Sequence, residues 1–303
     1  MTPRAVRHGS RALALGAAAL TVGAVVALSD DAGPPAPAPA PAPLDDAVAA
    51  GRSFALTSSA GPIRVWVPAG YHPDGAAVVL YVHGYYTDVE RAWIEHRLPE
   101  QFALASVNAV FIAAAAPAGA RPPVTWPHLD ELLAEVFGAI DVVRPTGELV
   151  AVGHSGAYRT LLAWAEHPGL DWIIHLDATY GEVDTWLDWL AASPRRRLIF
   201  IGDDTVRWTE ELADGIAARW PGELAIVERF GDAPLPVGSP LEPREPIRAW
   251  YLRSQWGHMA LATDGRAIPT VLRLAPIEVL ADGPWREPLG LPARDAGVDG
   301  AAP

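Results

Sequence analysis

The chain contains no cysteine and no lysine. Without cysteine it has no thiol nucleophile, no disulfide and no cysteine-based metal site, so an exported form would fold without covalent cross-links. All 23 basic residues are arginines, and they face 36 acidic residues, which gives a net charge of −13. A surface of that sign repels the phosphates of nucleic acids, and we therefore expect no nucleic-acid partner.

Motifs for common metals and cofactors are also missing. The sequence has no H-E-x-x-H, no Walker loop and no G-x-G-x-x-G, so we expect no metal and no cofactor. It does have size and apolar content, with 303 residues of which 50% are hydrophobic. That is enough for one large α/β core without a second domain.

The first 50 residues are predicted to lie outside the folded domain. Residues 1–29 carry three arginines ahead of an apolar run, the pattern of a secretion signal, and cleavage is expected before Asp30. The alternative is an uncleaved membrane anchor, since a run of about 18 apolar residues is near the minimum for spanning a bilayer. Residues 30–50, rich in proline and alanine, are predicted to form a stiff linker, and residues 51–303 the domain. We therefore expect a secreted or cell-envelope protein, with possible membrane or cell-wall association through this segment.

Short β-rich runs alternate with helical patterns from Arg52 onward. An opening hairpin is predicted over 53–58 and 63–69, followed by six buried strands separated by helical periodicity. The six strands are predicted at 76–84, 109–116, 148–155, 171–178, 196–204 and 223–230. Alternating strands and helices predict an α/β fold, a mostly parallel sheet with helices on both faces. Ligands bind at the carboxyl ends of the strands in such sheets.

The segment "AVGHSGAYR" places a serine where a strand turns sharply into a helix. Such a turn forces the serine into a strained conformation and needs small residues two positions to either side, here Gly153 and Ala157. The Ser155 hydroxyl would then project from the sheet as a candidate nucleophile. The backbone N–H of Gly156 would lie at a helix N-terminus, where it can stabilise an oxyanion. The competing interpretation of Ser155 is a helix N-cap.

A serine hydroxyl needs a base to accept its proton. Of the nine histidines, His258 in "SQWGHMALAT" follows the last predicted strand, which is where such a base belongs in the chain order serine, acid, histidine. Two acids at strand ends are candidates for orienting it. Asp177 ends one strand and Asp203 the next, and topology alone favours Asp203, because the acid most often follows the second strand after the nucleophile.

The region from about residue 74 to 274 resembles the α/β-hydrolase superfamily. "VVLYVHGYY" is similar to the oxyanion segment, "GHSGAYR" to the nucleophile elbow and "WGHMAL" to the histidine loop. The resemblance implies that Tyr85, after His83 and Gly84, supplies a second oxyanion N–H besides Gly156. More narrowly, H-S-G-x-Y and D-x-x-Y-G resemble a group of exported bacterial hydrolases, and this favours Asp177 over Asp203.

Two long proline-rich segments, 116–128 and 231–255, are candidates for walls of a substrate site. They contain Trp126 and Trp250, and Trp256 follows the second, so these side chains are candidates for stacking on a sugar or an aromatic group.

Together these features predict an exported serine hydrolase that cleaves a small-molecule or cell-envelope ester, or less favourably an amide, through an acyl-enzyme on Ser155. The alternatives are an acyltransferase with the same triad and a non-catalytic envelope binding module on a hydrolase fold.

Overall fold

The computed structural model describes residues 44–230 and 247–280. The predicted signal or anchor at 1–29, most of the predicted linker and the end of the predicted domain lie outside these residues. Within them, no helix combines the length and apolar character needed to cross a membrane.

The described residues form a nine-stranded sheet of strand order β1-β2-β4-β3-β5-β6-β7-β9-β8. The strands β1 and β2 form the predicted antiparallel hairpin, β2 also runs antiparallel to β4, and every other neighbouring pair is parallel. The prediction of a mostly parallel sheet is confirmed. The strands are β1 Arg52–Ser58, β2 Gly61–Val67, β3 Ala77–Val82, β4 Ala109–Ala114, β5 Leu149–His154, β6 Leu170–Leu176, β7 Arg197–Gly202, β8 Leu224–Phe230 and β9 Ala249–Ser254.

The last strand was not expected from the sequence. The segment 231–255 was predicted as one long loop, but its end forms β9, which lies between β7 and β8. The apolar run in β9 is only four residues long and lies between arginines. A run this short does not distinguish a strand from the end of a loop. The rest of that predicted wall, 231–246, is outside the described residues.

Helices cover both faces of the sheet. Alternate residues of β3 separate the two layers, with Val78 and Leu80 in one apolar core and Val79 and Tyr81 in the other. The helices α4 to α7 contribute to the first core, and α2, α3, α8 and α9 to the second. The helices are α1 Leu44–Ala50, α2 Val89–Glu95, α3 Leu98–Ala105, α4 Leu129–Ala139, α5 Tyr158–Trp164, α6 Val183–Ala191, α7 Val206–Arg219, α8 Ala260–Thr263 and α9 Ala267–Leu274.

The folded part begins earlier than the predicted boundary at residue 51. The last seven residues of the predicted linker form α1, which packs against α3. The Val48 carbonyl accepts a hydrogen bond from Trp66 Nε1 at 3.3 Å. A side chain at Gly51 would collide with the Trp66 ring, the nearest atom lying at 2.5 Å. The helix is therefore fixed to β2, and the linker is shorter than the sequence predicts.

Neighbouring strands bring the candidate residues to one edge of the sheet. The register pairs His154 with Leu176 and Leu176 with Ile201, so β5, β6 and β7 end side by side. Ser155, Asp177 and Asp203 each follow within one residue of those ends, and His258 follows β9, the next strand over. Residues that are far apart in sequence thus meet at the carboxyl end of the sheet.

Candidate active site

Ser155 occupies the sharp turn between β5 and the helical segment that follows. Its φ is 54°, in the left-handed region that non-glycine residues seldom adopt, which is the strain expected at this position. A Cβ added at Gly153 would lie 3.0 Å from Ala157 Cβ and 2.5 Å from Leu161 Cδ1. The turn therefore accepts an alanine at 157 but requires glycine at 153.

The loop after β3 lies directly against Ser155. A Cβ at Gly84 would be 2.8 Å from Ser155 Cβ, and one at Gly156 would be 2.4 Å from the Tyr85 ring. Gly156 also lies in the first turn of a helical segment, where a backbone N–H has no intrahelical partner. The two candidate oxyanion residues, Tyr85 and Gly156, are thus in contact beside the serine.

His83 braces that loop. Its Nδ1 donates to the Gly84 carbonyl at 2.8 Å, and its Nε2 accepts from the Ala116 N–H at 3.1 Å. Burial lowers the pKa of His83, so the ring is neutral. Both ring nitrogens are engaged in holding backbone, which makes His83 a structural residue.

His258 is held by Asp177 and by the residue before the serine. Its Nδ1 lies 2.5 Å from Asp177 Oδ2. Its carbonyl accepts a hydrogen bond from His154 Nε2 at 3.0 Å, and the two imidazole rings are 4.6 Å apart. Because His154 immediately precedes Ser155, these contacts set the His258 ring beside the elbow.

Asp177 is completely buried and is the acceptor for a ring of donors. The N–H groups of Asp203, Asp204 and Thr205 reach its carboxylate at 2.9 to 3.0 Å. The Thr205 hydroxyl donates at 2.5 Å, and Thr205 is the residue before α7. The carboxylate therefore lies at a helix N-terminus, where both N–H groups and the helix dipole favour its negative charge.

Asp203, the acid that topology favours, has a different partner. Its Oδ2 accepts the backbone N–H of His258 at 2.7 Å, while its own N–H donates to Asp177. Topology places the orienting acid in the loop after β7. That loop instead supplies backbone N–H donors to Asp177, which follows β6. Asp177 thus fixes the ring of His258, and Asp203 fixes its backbone.

The charges of the pair reinforce each other. Burial opposes ionisation of Asp177, but the hydrogen bonds from His258, Asp203 and Thr205 outweigh it, so its pKa lies below the usual range. The hydrogen bond to Asp177 raises the pKa of His258 above its usual value, against the opposing effect of burial. Such a histidine is a stronger base for a serine proton than an isolated one.

The same residues have donor atoms that could surround a cation. Ligand atoms of Asp177, Asp204 and His258 all lie within 4.8 Å of one another. Both Asp177 oxygens already accept hydrogen bonds from fixed donors, however, so a metal would have to displace them. The arrangement fits an aspartate–histidine pair better than a metal centre.

The Tyr180 hydroxyl lies close to Ser155. Among the described side chains, no hydrogen bond of 3.5 Å or less joins Ser155 to His258. Hydrogen bonds of this kind are often long in free enzymes and shorten in the complex with substrate.

The tryptophans expected to bind substrate belong elsewhere. Trp250 is in β9, 0% exposed, and stacks on Trp172 at 5.6 Å, while Trp126 is buried under α5 with its carbonyl bonded to Trp164. Trp256 packs against Phe230 at 5.2 Å. The expectation for Trp126 and Trp250 is wrong, because both are core residues.

Other aromatic residues lie near Ser155, and no role in binding substrate was assigned to them from the sequence. The Tyr180 ring is 5.5 Å from Tyr158 and 5.8 Å from Trp208. All three are partly exposed. Tyr158 and Tyr180 are the tyrosines of the H-S-G-x-Y and D-x-x-Y-G motifs, whereas Trp208 belongs to neither motif.

The fold is that of the α/β-hydrolases. At the carboxyl end of the sheet, a strained serine follows β5, a buried aspartate follows β6 and a histidine follows β9. No protein-family model matches the chain, and a search of the curated proteins finds no match.

Solved structures are similar to it in fold. A ferulic acid esterase shares 11% identity and a TM-score of 0.50, covering 74% of this chain and 98% of its own. An S-formylglutathione hydrolase from Staphylococcus aureus shares 11% identity and a TM-score of 0.46, covering 73% and 94%. A feruloyl esterase module from Clostridium thermocellum shares 11% identity and a TM-score of 0.49, covering 76% and 92%. At such identities the likeness concerns the fold alone.

Proposed function

We propose that this protein is an exported serine hydrolase that cleaves esters through an acyl-enzyme on Ser155. The observation that carries the proposal is the bond between His258 Nδ1 and the buried Asp177 carboxylate, beside a serine held at a φ of 54°. A strained serine, a polarised histidine and a buried acid are the three parts of the machinery that activates a hydroxyl nucleophile.

In the proposed reaction, Ser155 Oγ attacks the ester carbonyl carbon and passes its proton to His258 Nε2. Asp177 holds the ring by Nδ1 and stabilises the imidazolium that forms. The N–H groups of Gly156 and Tyr85 bind the oxyanion. His258 then protonates the leaving alcohol, the C–O bond breaks, and a water deprotonated by His258 releases the acid from Ser155.

A fluorophosphonate probe tests the proposal directly, since it reacts only with an activated serine. We expect the wild-type protein to be labelled and Ser155→Ala not to be. Ser53→Ala is the matched control, because Ser53 is an exposed serine on β1, and it should be labelled like wild type. Absence of labelling in the wild-type protein would contradict the proposal and favour a binding module.

Hydrolysis and acyl transfer share the acyl-enzyme, and adding a competing alcohol separates them. For a hydrolase, the acid remains the main product from a simple ester in dilute methanol. A methyl ester as the dominant product would indicate an acyltransferase.

Export rests on the first 29 residues, whose arginines precede an apolar run. We propose that the mature protein begins at Asp30 and is found outside the cytoplasm. N-terminal sequencing of protein from the culture medium and the envelope tests this. An intact N-terminus on membrane-bound protein would favour the anchor instead.

A further inference from the structure

The aromatic residues around Ser155 form a continuous border, which we call the aromatic arc and define as Tyr86, Tyr85, Tyr158, Tyr180 and Trp208. Tyr86 contacts Tyr85 edge to face at 6.4 Å, and Tyr180 contacts Tyr158 and Trp208 at 5.5 and 5.8 Å. The Tyr85 ring packs on Gly156, two residues before Tyr158, which brings the two groups of rings together. Each member is at least partly exposed.

The arc adjoins the candidate reaction centre at two points. The Tyr85 ring packs on Gly156, and the Tyr180 hydroxyl lies close to Ser155. A substrate whose carbonyl lies between Ser155 and the oxyanion N–H groups therefore has aromatic rings on both sides of the reacting bond.

The outer end of the arc is held in place. Tyr86 is 91% exposed yet has a left-handed φ of 63°, and its N–H donates to the Ala118 carbonyl at 2.9 Å. Arg159, on α5, in turn bonds the carbonyls of Gly119, Ala120 and Pro122. An exposed tyrosine held in a strained conformation next to an active site is typical of a ligand contact.

The exposed residues beside His258 and at the start of α7 are apolar or charged. Met259, beside His258, is 54% exposed, and Val206 is 47% exposed. Asp204 lies 3.6 Å from His258 Nδ1 on an exposed loop. Arg207 is also exposed here and lies over the Trp208 ring at 5.3 Å, so this side of the site carries charges of both signs.

From this arrangement we infer that the substrates are esters carrying an aromatic ring, which lies against the aromatic arc. The inference rests on the proposed function and adds the substrate class to it. Ring–ring contacts of this kind contribute free energy beyond the burial of area, because the edge of one ring is attracted to the face of another.

Paired esters that differ only in ring saturation test the inference. Methyl hydrocinnamate is compared with its cyclohexyl analogue for a ring on the acyl side, and benzyl acetate with cyclohexylmethyl acetate for a ring on the alcohol side. We expect kcat/KM to favour the aromatic member of at least one pair by about fivefold. Equal rates within both pairs, or no turnover of any of the four, would overturn the inference.

Variants of the arc test whether its rings cause the preference for aromatic esters. Trp208→Leu and Tyr86→Leu should bring the ratio of kcat/KM values toward one, whereas Tyr180→Phe, which keeps the ring, should retain it. Tyr86 is the safer position, since its exposed side chain is not part of the core. Tyr71→Leu is the control, because Tyr71 bonds the Val143 carbonyl, away from the arc. A ratio that is the same in Tyr86→Leu, Trp208→Leu and wild type would contradict the assignment.

Two further outcomes separate this inference from the proposed function. Fluorophosphonate labelling of Ser155 without aromatic preference would leave a hydrolase but overturn the substrate class. Faster hydrolysis of an acetylated methyl glucoside than of either aromatic ester would overturn it in favour of a sugar ester. Loss of labelling would remove the proposed function itself.

Discussion

The amino and carboxyl ends of the sheet differ in how their carboxylates are paired. At the amino end, Arg195 pairs with Asp171 at 2.6 Å, and a cleft of about 400 Å³ is lined by Arg144, Glu148 and His167 as well as Arg195. At the carboxyl end, one carboxylate is completely buried and bonded to five donors.

Two residues with a strained backbone also lie at the carboxyl end. Ser155 and Asp177 both have left-handed φ values, 54° and 49°, and both follow directly on the carboxyl end of a strand. Such conformations persist only where surrounding contacts impose them, and they concentrate at reactive sites. Both ends thus contain a buried carboxylate, but Asp171 is paired with an exposed arginine, whereas Asp177 accepts from five donors next to a strained serine.

The largest expected effect comes from the buried carboxylate. Asp177→Asn should lower kcat/KM by about ten-thousand-fold, because an amide in that position favours the wrong tautomer of His258. Steady-state ester hydrolysis on folded protein measures it, with circular dichroism to establish folding. An activity within tenfold of wild type would show that the acid is another residue.

The same substitution at the two ends tests the contrast in packing. Gly84→Ala places a Cβ 2.8 Å from Ser155 Cβ, and Gly147→Ala places one 2.4 Å from the Ala76 carbonyl. We expect Gly84→Ala to lower kcat/KM by about a hundredfold by displacing the serine. Gly147→Ala should lower the free energy of unfolding by about 1–3 kcal/mol instead.

Thermal unfolding and active-site titration distinguish the two. Full specific activity in Gly84→Ala would contradict the expected difference between the two ends of the sheet. A loss of activity per folded active site in Gly147→Ala would contradict it as well.

Asp203 is expected to act through position alone. Asp203→Ala removes the acceptor of the His258 backbone N–H, and kcat should fall about tenfold, equivalent to one charge-assisted hydrogen bond. Asp203→Asn should recover most of that loss, since the amide oxygen can still accept. If both variants lost as much as Asp177→Asn, Asp203 would be the orienting acid.

The pH profile reports the charge of His258. Its pKa is raised above the usual value by the bond to Asp177, and the protonated ring cannot accept the serine proton. Activity should therefore be lost as the pH falls through a midpoint above about 6.5. In Asp177→Asn the residual activity should show a lower midpoint, as the carboxylate no longer favours the cation. An unchanged midpoint would mean that a group other than His258 controls the loss of activity at low pH.

The smallest effect on activity is expected at the amino end. Arg195→Ala removes a partner of Asp171, whose side chain is buried although the arginine is largely exposed, so the free energy of unfolding should fall by about 1–3 kcal/mol. The kcat/KM should stay unchanged, as measured beside wild type in the same ester assay. A tenfold loss of activity would show that the two ends are coupled.

Much of the fold could be predicted because buried parallel strands are apolar throughout. The runs that became β3, β4 and β5 are completely buried, and this pattern separates them from the amphipathic helices around them. β9 was missed because four apolar residues between arginines carry no such distinction. Trp250 was consequently assigned to a loop, although it lies inside the sheet core.

The sequence by itself determined the position of Ser155, since the steric demands of a sharp turn are local and visible as Gly153 and Ala157. It also limited the acid to two strand ends. Only the tertiary structure decided between them, because the choice depends on where β9 inserts and carries His258 to Asp177, and on how the N–H groups after β7 point at that carboxylate. The same is true of the aromatic arc, whose members come from four separate segments and meet only when the strands align.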